Sequence, residues 1–224
     1  MAVLGVDGWR GRWVGALLTG RGVELLVLED VAAALAVPDV ELIAIDMPIG
    51  LSDDGVRACD VAARTLLGRA GASVFQTPVR AVLQARDYAE ARDISRACTT
   101  PPRAPSAQAF QLVTAIRRLD DALGDPPSRR VVEVHPELAF RALSSGTVTD
   151  PKVTARGTMQ RLTALSAVMD VEQALTNAPG LVPMVDALDA CAAAWSAQRL
   201  SEGRGECVGD GAVDSRGRPM RICW

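Results

Sequence analysis

Lysine is almost missing from this chain. Lys152 is the only one among 24 basic residues, and the rest are arginine. That excludes a Walker-type phosphate loop, which needs Gly-Lys followed by Ser or Thr. Long apolar runs are missing too. None reaches the ~18 residues that span a bilayer, so no transmembrane helix and no membrane partner are expected. The N-terminus opens directly on the strand-like run 2–6, without a basic region followed by a long apolar one. This start predicts no signal peptide and a cytoplasmic protein. The five cysteines, Cys59, Cys98, Cys191, Cys207 and Cys223, contain no C-x-x-C pair. An odd number without a pattern argues against a disulfide framework and against structural zinc, so all five read as free thiols.

What remains is ordinary in amount and uneven in distribution. The 224 residues suffice for one generous domain, or one domain with an insertion. The net charge of −3 gives no support for nucleic-acid binding by itself. From Arg57 to Arg118, however, ten arginines face four acids, a local +6. The other residues hold 14 basic and 23 acidic side chains, a charge of −9. The segment 57–118 reads either as a solvated arginine-rich helical surface or as a phosphate-facing cover over an acidic site.

The apolar periodicity predicts three antiparallel strands over 2–28, a short helix over 29–36, and a strand buried on both faces over 41–45. Residues 52–123 show helical patterns and no convincing strand, and read as an insertion. Gly124-Asp-Pro-Pro127 closes it. Residues 130–137 read as a strand running into a turn, with Glu137 starting a helix over 138–143. Lys152 and Arg156 stand ahead of a further amphipathic helix. Residues 183–200 form the last long helix, with Leu188, Ala192 and Trp195 as its buried stripe. This order means a mixed α/β sheet.

Aspartates stand at telling places. Asp7 ends the first strand, in Gly-Val-Asp-Gly-Trp, where Asp-Gly equally suits a hairpin turn. Asp46 follows the buried strand, the usual place for a ligand or catalytic group in an open α/β sheet, or for a loop cap. Asp186 and Asp189 are three apart near the start of the last helix, which puts them on neighbouring positions of one face. A helix dipole alone accounts for such a pair. Four converging carboxylates instead repel, and Mg²⁺ or Mn²⁺ relieves that repulsion through hard oxygen ligands. Glu133, His135 and Glu137 cluster around the strand-to-helix turn. His135 is the only histidine, and a lone histidine beside proline has a structural reading as well.

The phrases GVDGWRGRWV, AIDMPIGL, RACDVAARTLLG, SVFQTPVRAVL, EVHPELAF and DALDACAAAW together resemble the DUF429 family, described as predicted nucleases with a ribonuclease H fold. The carboxylate order is similar to that of RuvC-type resolvases in the ribonuclease H-like superfamily. The resemblance spans nearly the whole chain. It implies a mixed five-stranded sheet, a three-strand antiparallel meander plus parallel strands, flanked by helices. It implies one domain over 1–224 carrying a helical insertion over about 52–123. Asp7, Asp46, Asp186 and Asp189 would be the metal ligands. Glu133, His135 and Glu137, the family's own E-V-H-P-E motif, would ligate, act as acid or base, or fix the turn.

The expected function is therefore a divalent-metal-dependent nuclease or phosphodiesterase using one or two ions. Nucleic acid is the expected partner, through the arginine-rich segment 57–118. The alternatives are a nucleotide- or phosphate-binding protein of the actin-like ATPase type, and a non-catalytic interaction protein that keeps the fold. The type of nucleic acid and the oligomeric state, a homodimer being one option, stay open.

Overall fold

Three apolar runs rich in valine and leucine, joined by tight turns, fold as an antiparallel meander. They are β1 (Ala2–Trp9), β2 (Arg12–Thr19) and β3 (Gly22–Leu28). The computed structural model describes residues 1–125, 128, 130–146 and 148–224. Arg10 and Gly11 form the first turn, both at positive φ, as a two-residue hairpin requires. Asp7 is not part of that turn, for it pairs with Val14 within the ladder. After α1 (Val31–Leu35), β4 (Val40–Ile45) pairs parallel to β1, and β5 (Val131–Glu133) pairs parallel to β4. The mixed five-stranded sheet has the order β3-β2-β1-β4-β5. The α/β architecture with flanking helices is the one the sequence predicts.

The remaining helices are α2 (Ala58–Leu67), α3 (Tyr88–Cys98), α4 (Ala107–Ala122), α5 (Pro136–Leu143), α6 (Ala155–Ser166), α7 (Val171–Thr176) and α8 (Met184–Ser201). Two 3-10 helices cover Gly68–Ser73 and Arg80–Gln84. Two-residue strands β6 (Cys207–Val208) and β7 (Ile222–Cys223) stand near the C-terminus. The Pro126–Pro127 part of the expected closing turn lies outside the described residues. No helix among the described residues is long and apolar enough to cross a membrane.

The chain divides into two compact units. The first comprises 1–47, 130–206 and 223–224 and holds the five-stranded sheet. Its core contains Leu4, Leu18, Ile43, Ile45, Leu138, Phe140 and Leu188, all essentially out of water. Each contributes about 1.5–3 kcal/mol by that burial. Helix α8 packs on β1, β2 and β4, and also meets α5, α6 and α7. Its buried part is therefore no stripe. Every residue from Ala187 to Ala194 is buried, because alanines are small enough to be covered from all sides.

The second unit comprises 48–129 and 207–222. Among the described residues, 48–129 carries helices and no strand. Buried ion pairs hold this unit. The fully buried Arg57 guanidinium bonds Asp60 and the carbonyls of Ile49 and Gly50. Asp120 accepts from Arg80, Arg216 and Arg218, and Asp214 accepts from Arg80 and three backbone amides. Cysteine chemistry departs from expectation. Cys59, Cys98 and Cys191 are thiols, but Cys207 and Cys223 are disulfide-bonded. Their spacing in the sequence carries no sign of it, since the geometry of a bond depends on the fold alone.

Candidate active site

The parallel ladder of β1 and β4 ends at the pair Val6 and Ile45. The next residues are Asp7 and Asp46, and the Asp46 amide donates to the Val6 carbonyl at 2.9 Å. Two carboxylates thus stand side by side where the parallel ladder ends, Asp7 within β1 and Asp46 just after β4. Strand alternation puts Asp7 on the same face as Gly5. That face carries α8, for a Cβ on Gly5 would sit 2.1 Å from the Ala190 carbonyl oxygen. Asp189, the residue before Ala190, is brought to the strand ends by this close approach. Asp186 sits one turn earlier, in the first turn of α8.

The electrostatics record the convergence. Burial pushes the Asp7 carboxyl well above the usual carboxylate range, and the charges of Asp46, Asp189 and Asp186 push it further. Burial raises Asp46 too, with Glu137 adding to it and His135 and Lys152 opposing. Asp189 is 1% exposed. Burial lifts its carboxyl to about 7, against the pull of Lys152 and with the push of Asp46 and Glu137. Asp186 is half-buried and raised by that burial, with Lys152 and Arg10 opposing. Four carboxylates therefore share a site that is short of positive charge.

One cation enters the cluster. The Lys152 ammonium donates to Asp189 Oδ2. Burial opposes its charge, but Asp189, Asp46 and Asp7 together raise its affinity for the proton. The other carboxylate oxygen, Asp189 Oδ1, is buried with no hydrogen-bond partner. An unpaired ionised oxygen without water is costly, so such groups normally meet a donor or a cation.

The loop that carries Lys152 is tied down on several sides. Thr158 Oγ1 donates to the Lys152 carbonyl at 2.9 Å, and Thr154 caps α6 by accepting from Gly157 N. The Arg161 guanidinium donates to the carbonyls of Asp150 and Gly157, and forms a two-bond pair with Glu137 at 2.8 and 2.7 Å. Glu137 is thereby committed to α6. His135 caps α5, its Nδ1 accepting from the Glu137 amide at 3.3 Å. Glu133 is buried in register with Ile45. The E-V-H-P-E motif thus borders the aspartates, with two of its three polar side chains engaged in holding α5 and α6.

Lys152 is the functional candidate that the motif reading passes over. Its signal is present in composition, as the single lysine of an arginine-rich chain. Cys191 is no nucleophile candidate. Burial, and then the Asp189 charge, lifts its thiol to about 12.

The donor set suits a hard divalent cation: carboxylate oxygens, mutually repelling, one of them unpartnered. Among the described residues, no three His, Cys, Asp or Glu side chains stand in ligand geometry about one point. The case for a cation therefore rests on charge and on the orphaned oxygen, not on preformed coordination.

A family model described as "Protein of unknown function (DUF429)" matches residues 5–213. No curated protein and no solved structure matches the chain.

Proposed function

The chain belongs to the DUF429 family, and from the four-aspartate cluster we propose a divalent-metal-dependent phosphodiesterase acting on nucleic acid. The observation that carries the reading is Asp189 Oδ1, buried and unpartnered among three further aspartates. The strand order, with one aspartate on β1, one just after β4 and a D-x-x-D pair opening α8, also fits the ribonuclease H-like arrangement that the sequence resembles.

Asp7, Asp46, Asp186 and Asp189 would hold Mg²⁺ or Mn²⁺. When bound, such an ion supplies activation of water and charge stabilisation at a phosphoryl group. The chain's own residues do the rest. The β1/β4 ladder fixes the spacing of Asp7 and Asp46, and the Gly5 contact fixes Asp189 against them. Glu137 and Arg161 hold the loop of Lys152. Burial holds a proton on the Asp189 carboxyl up to about pH 7, and metal binding there would release it.

The exposed arginines support phosphate as the substrate group. Arg57 and Arg80 are spent on internal ion pairs, while Arg69, Arg92, Arg103 and Arg118 remain exposed. Exposed arginines of this kind bind polyanions by releasing counterions.

The test is cleavage of single-stranded, RNA–DNA hybrid and branched substrates with Mn²⁺, together with Mn²⁺ calorimetry. Wild type is expected to cleave at least one substrate, and Asp7→Asn and Asp46→Asn to lose both cleavage and Mn²⁺ binding. Full activity in both variants would sink the site.

A further inference from the structure

Lysine and arginine pair differently with a carboxylate. An arginine fork takes both oxygens, whereas an ammonium is a point charge that can hold one. Lys152 holds Asp189 Oδ2 and leaves Oδ1 unpartnered. Its side chain is 40% exposed while that of Asp189 is 1% exposed. The ammonium therefore bridges a buried carboxylate and open solvent. Its backbone is fixed by Thr158, and its loop by Arg161, so only the flexible side chain is free to turn.

From this geometry we propose that Lys152 is a catalytic residue with two partners: it neutralises Asp189 in the metal-free site, and its ammonium would turn to the substrate phosphate when that carboxylate holds a divalent cation. The proposal rests on the phosphodiesterase reading above. In the hydrolysis, the water oxygen bonds to phosphorus and the ester P–O bond breaks. A water proton passes to the leaving oxygen by way of solvent. Lys152 keeps its own proton throughout and offsets charge on the non-bridging oxygens. Being the only lysine, it fills a place that arginine would not, because a fork on Asp189 would close Oδ1 as well.

Two substitutions separate this role from a structural one. Lys152→Met removes the competing charge. With one positive charge gone from the place a cation would take, Mn²⁺ binding, compared at the alkaline end of the pH range where protons compete least, should tighten by roughly tenfold or more. The same variant should lose roughly 100-fold or more in kcat, the scale of one lost charge-stabilising donor. Lys152→Arg should weaken Mn²⁺ binding and lower kcat together.

The measurements are Mn²⁺ titration calorimetry and Mn²⁺-dependent cleavage of bis(4-nitrophenyl) phosphate and a single-stranded oligonucleotide, on variants whose circular dichroism matches wild type. Tighter metal binding with lower kcat in Lys152→Met supports the proposal. Unchanged kcat, or weaker Mn²⁺ binding in that variant, overturns it while wild-type activity leaves the phosphodiesterase reading standing. A wild type that neither binds Mn²⁺ nor cleaves overturns both.

Discussion

Gly5 lies against Ala190 with no room for a side chain between them. A Cβ on Gly5 would meet the Ala190 carbonyl oxygen and the Ala194 amide nitrogen, each at 2.1 Å. Both obstacles are backbone atoms of α8, which cannot rotate away. Gly5→Ala must push the helix off β1 and carry Asp189 away from Asp7. Overpacking ordinarily costs about 1–3 kcal/mol, and this contact belongs at the upper end, about 3 kcal/mol. Urea denaturation checks the loss of stability, and Mn²⁺ calorimetry on the folded fraction should show weaker binding. A variant as stable as wild type would mean that α8 does not sit this close.

The aspartate cluster should make the protein less stable as pH rises. The Asp189 carboxyl lies at about 7 in the folded chain against 3.8 for an unperturbed aspartate, chiefly because it is buried. A raised folded value contributes stability that is complete below about 4 and lost as pH rises through about 7. The shift corresponds to on the order of 4 kcal/mol. Asp7 and Asp46 are raised and act in the same direction. Lys152 keeps its proton across this window, since its affinity is raised as well. Unfolding curves with EDTA between pH 4 and 8 should fall for wild type and flatten for Asp189→Asn. Equal slopes in the two proteins would contradict the buried, charge-crowded setting of Asp189.

Much of this arrangement was legible in residue order. Alternation and compact apolar runs marked β1 to β4, and the end of β4 marked Asp46, whereas Asp7, expected at the end of the first strand, lies within β1, which runs on to Trp9. Helical spacing joined Asp186 to Asp189. The pairing partners of charged groups were not legible, because they depend on contacts distant in sequence. Lys152 meets Asp189 across 37 positions, and Arg161 meets Glu137 across 24. The same limit hid the oxidised state of Cys207 and Cys223. The buried stripe expected on α8 was too narrow, since local periodicity registers only one face while this helix is covered on nearly all of them.

Glu137 should behave as a positioning residue. Both of its oxygens accept from Arg161, whose side chain is 5% exposed. Arg161→Met strands a carboxylate with little water, and losing one partner of a buried pair costs about 3–5 kcal/mol. The pair is not wholly covered, which favours about 3. Glu137→Gln keeps an acceptor for the guanidinium and should cost about 1–2 kcal/mol. Mn²⁺ affinity should stay within roughly twofold of wild type in Glu137→Gln, because an oxygen held by Arg161 is not a ligand in waiting. A large drop in Mn²⁺ affinity at preserved stability would instead assign Glu137 to the metal.

The second unit depends on Asp120 in a comparable way. Its carboxylate accepts from Arg80 and Arg216, each at 2.8 Å, and from the fully buried Arg218. Three guanidiniums around one carboxylate repel one another as soon as its charge is removed. Asp214 moderates this only in part. Burial opposes its charge, but amides of Arg218, Leu51 and Arg216 and the nearby Arg80 hold its carboxyl below the usual range. Asp120→Asn also turns an amide N–H₂ toward cationic donors. The expected cost is about 3–5 kcal/mol, that of breaking a buried ion-pair network at one member. Urea denaturation should show it. Asp121→Asn, at an exposed neighbour whose contact with Arg216 is 4.0 Å, should stay within about 0.5 kcal/mol of wild type. If the two variants unfold alike, Asp120 does not organise these arginines.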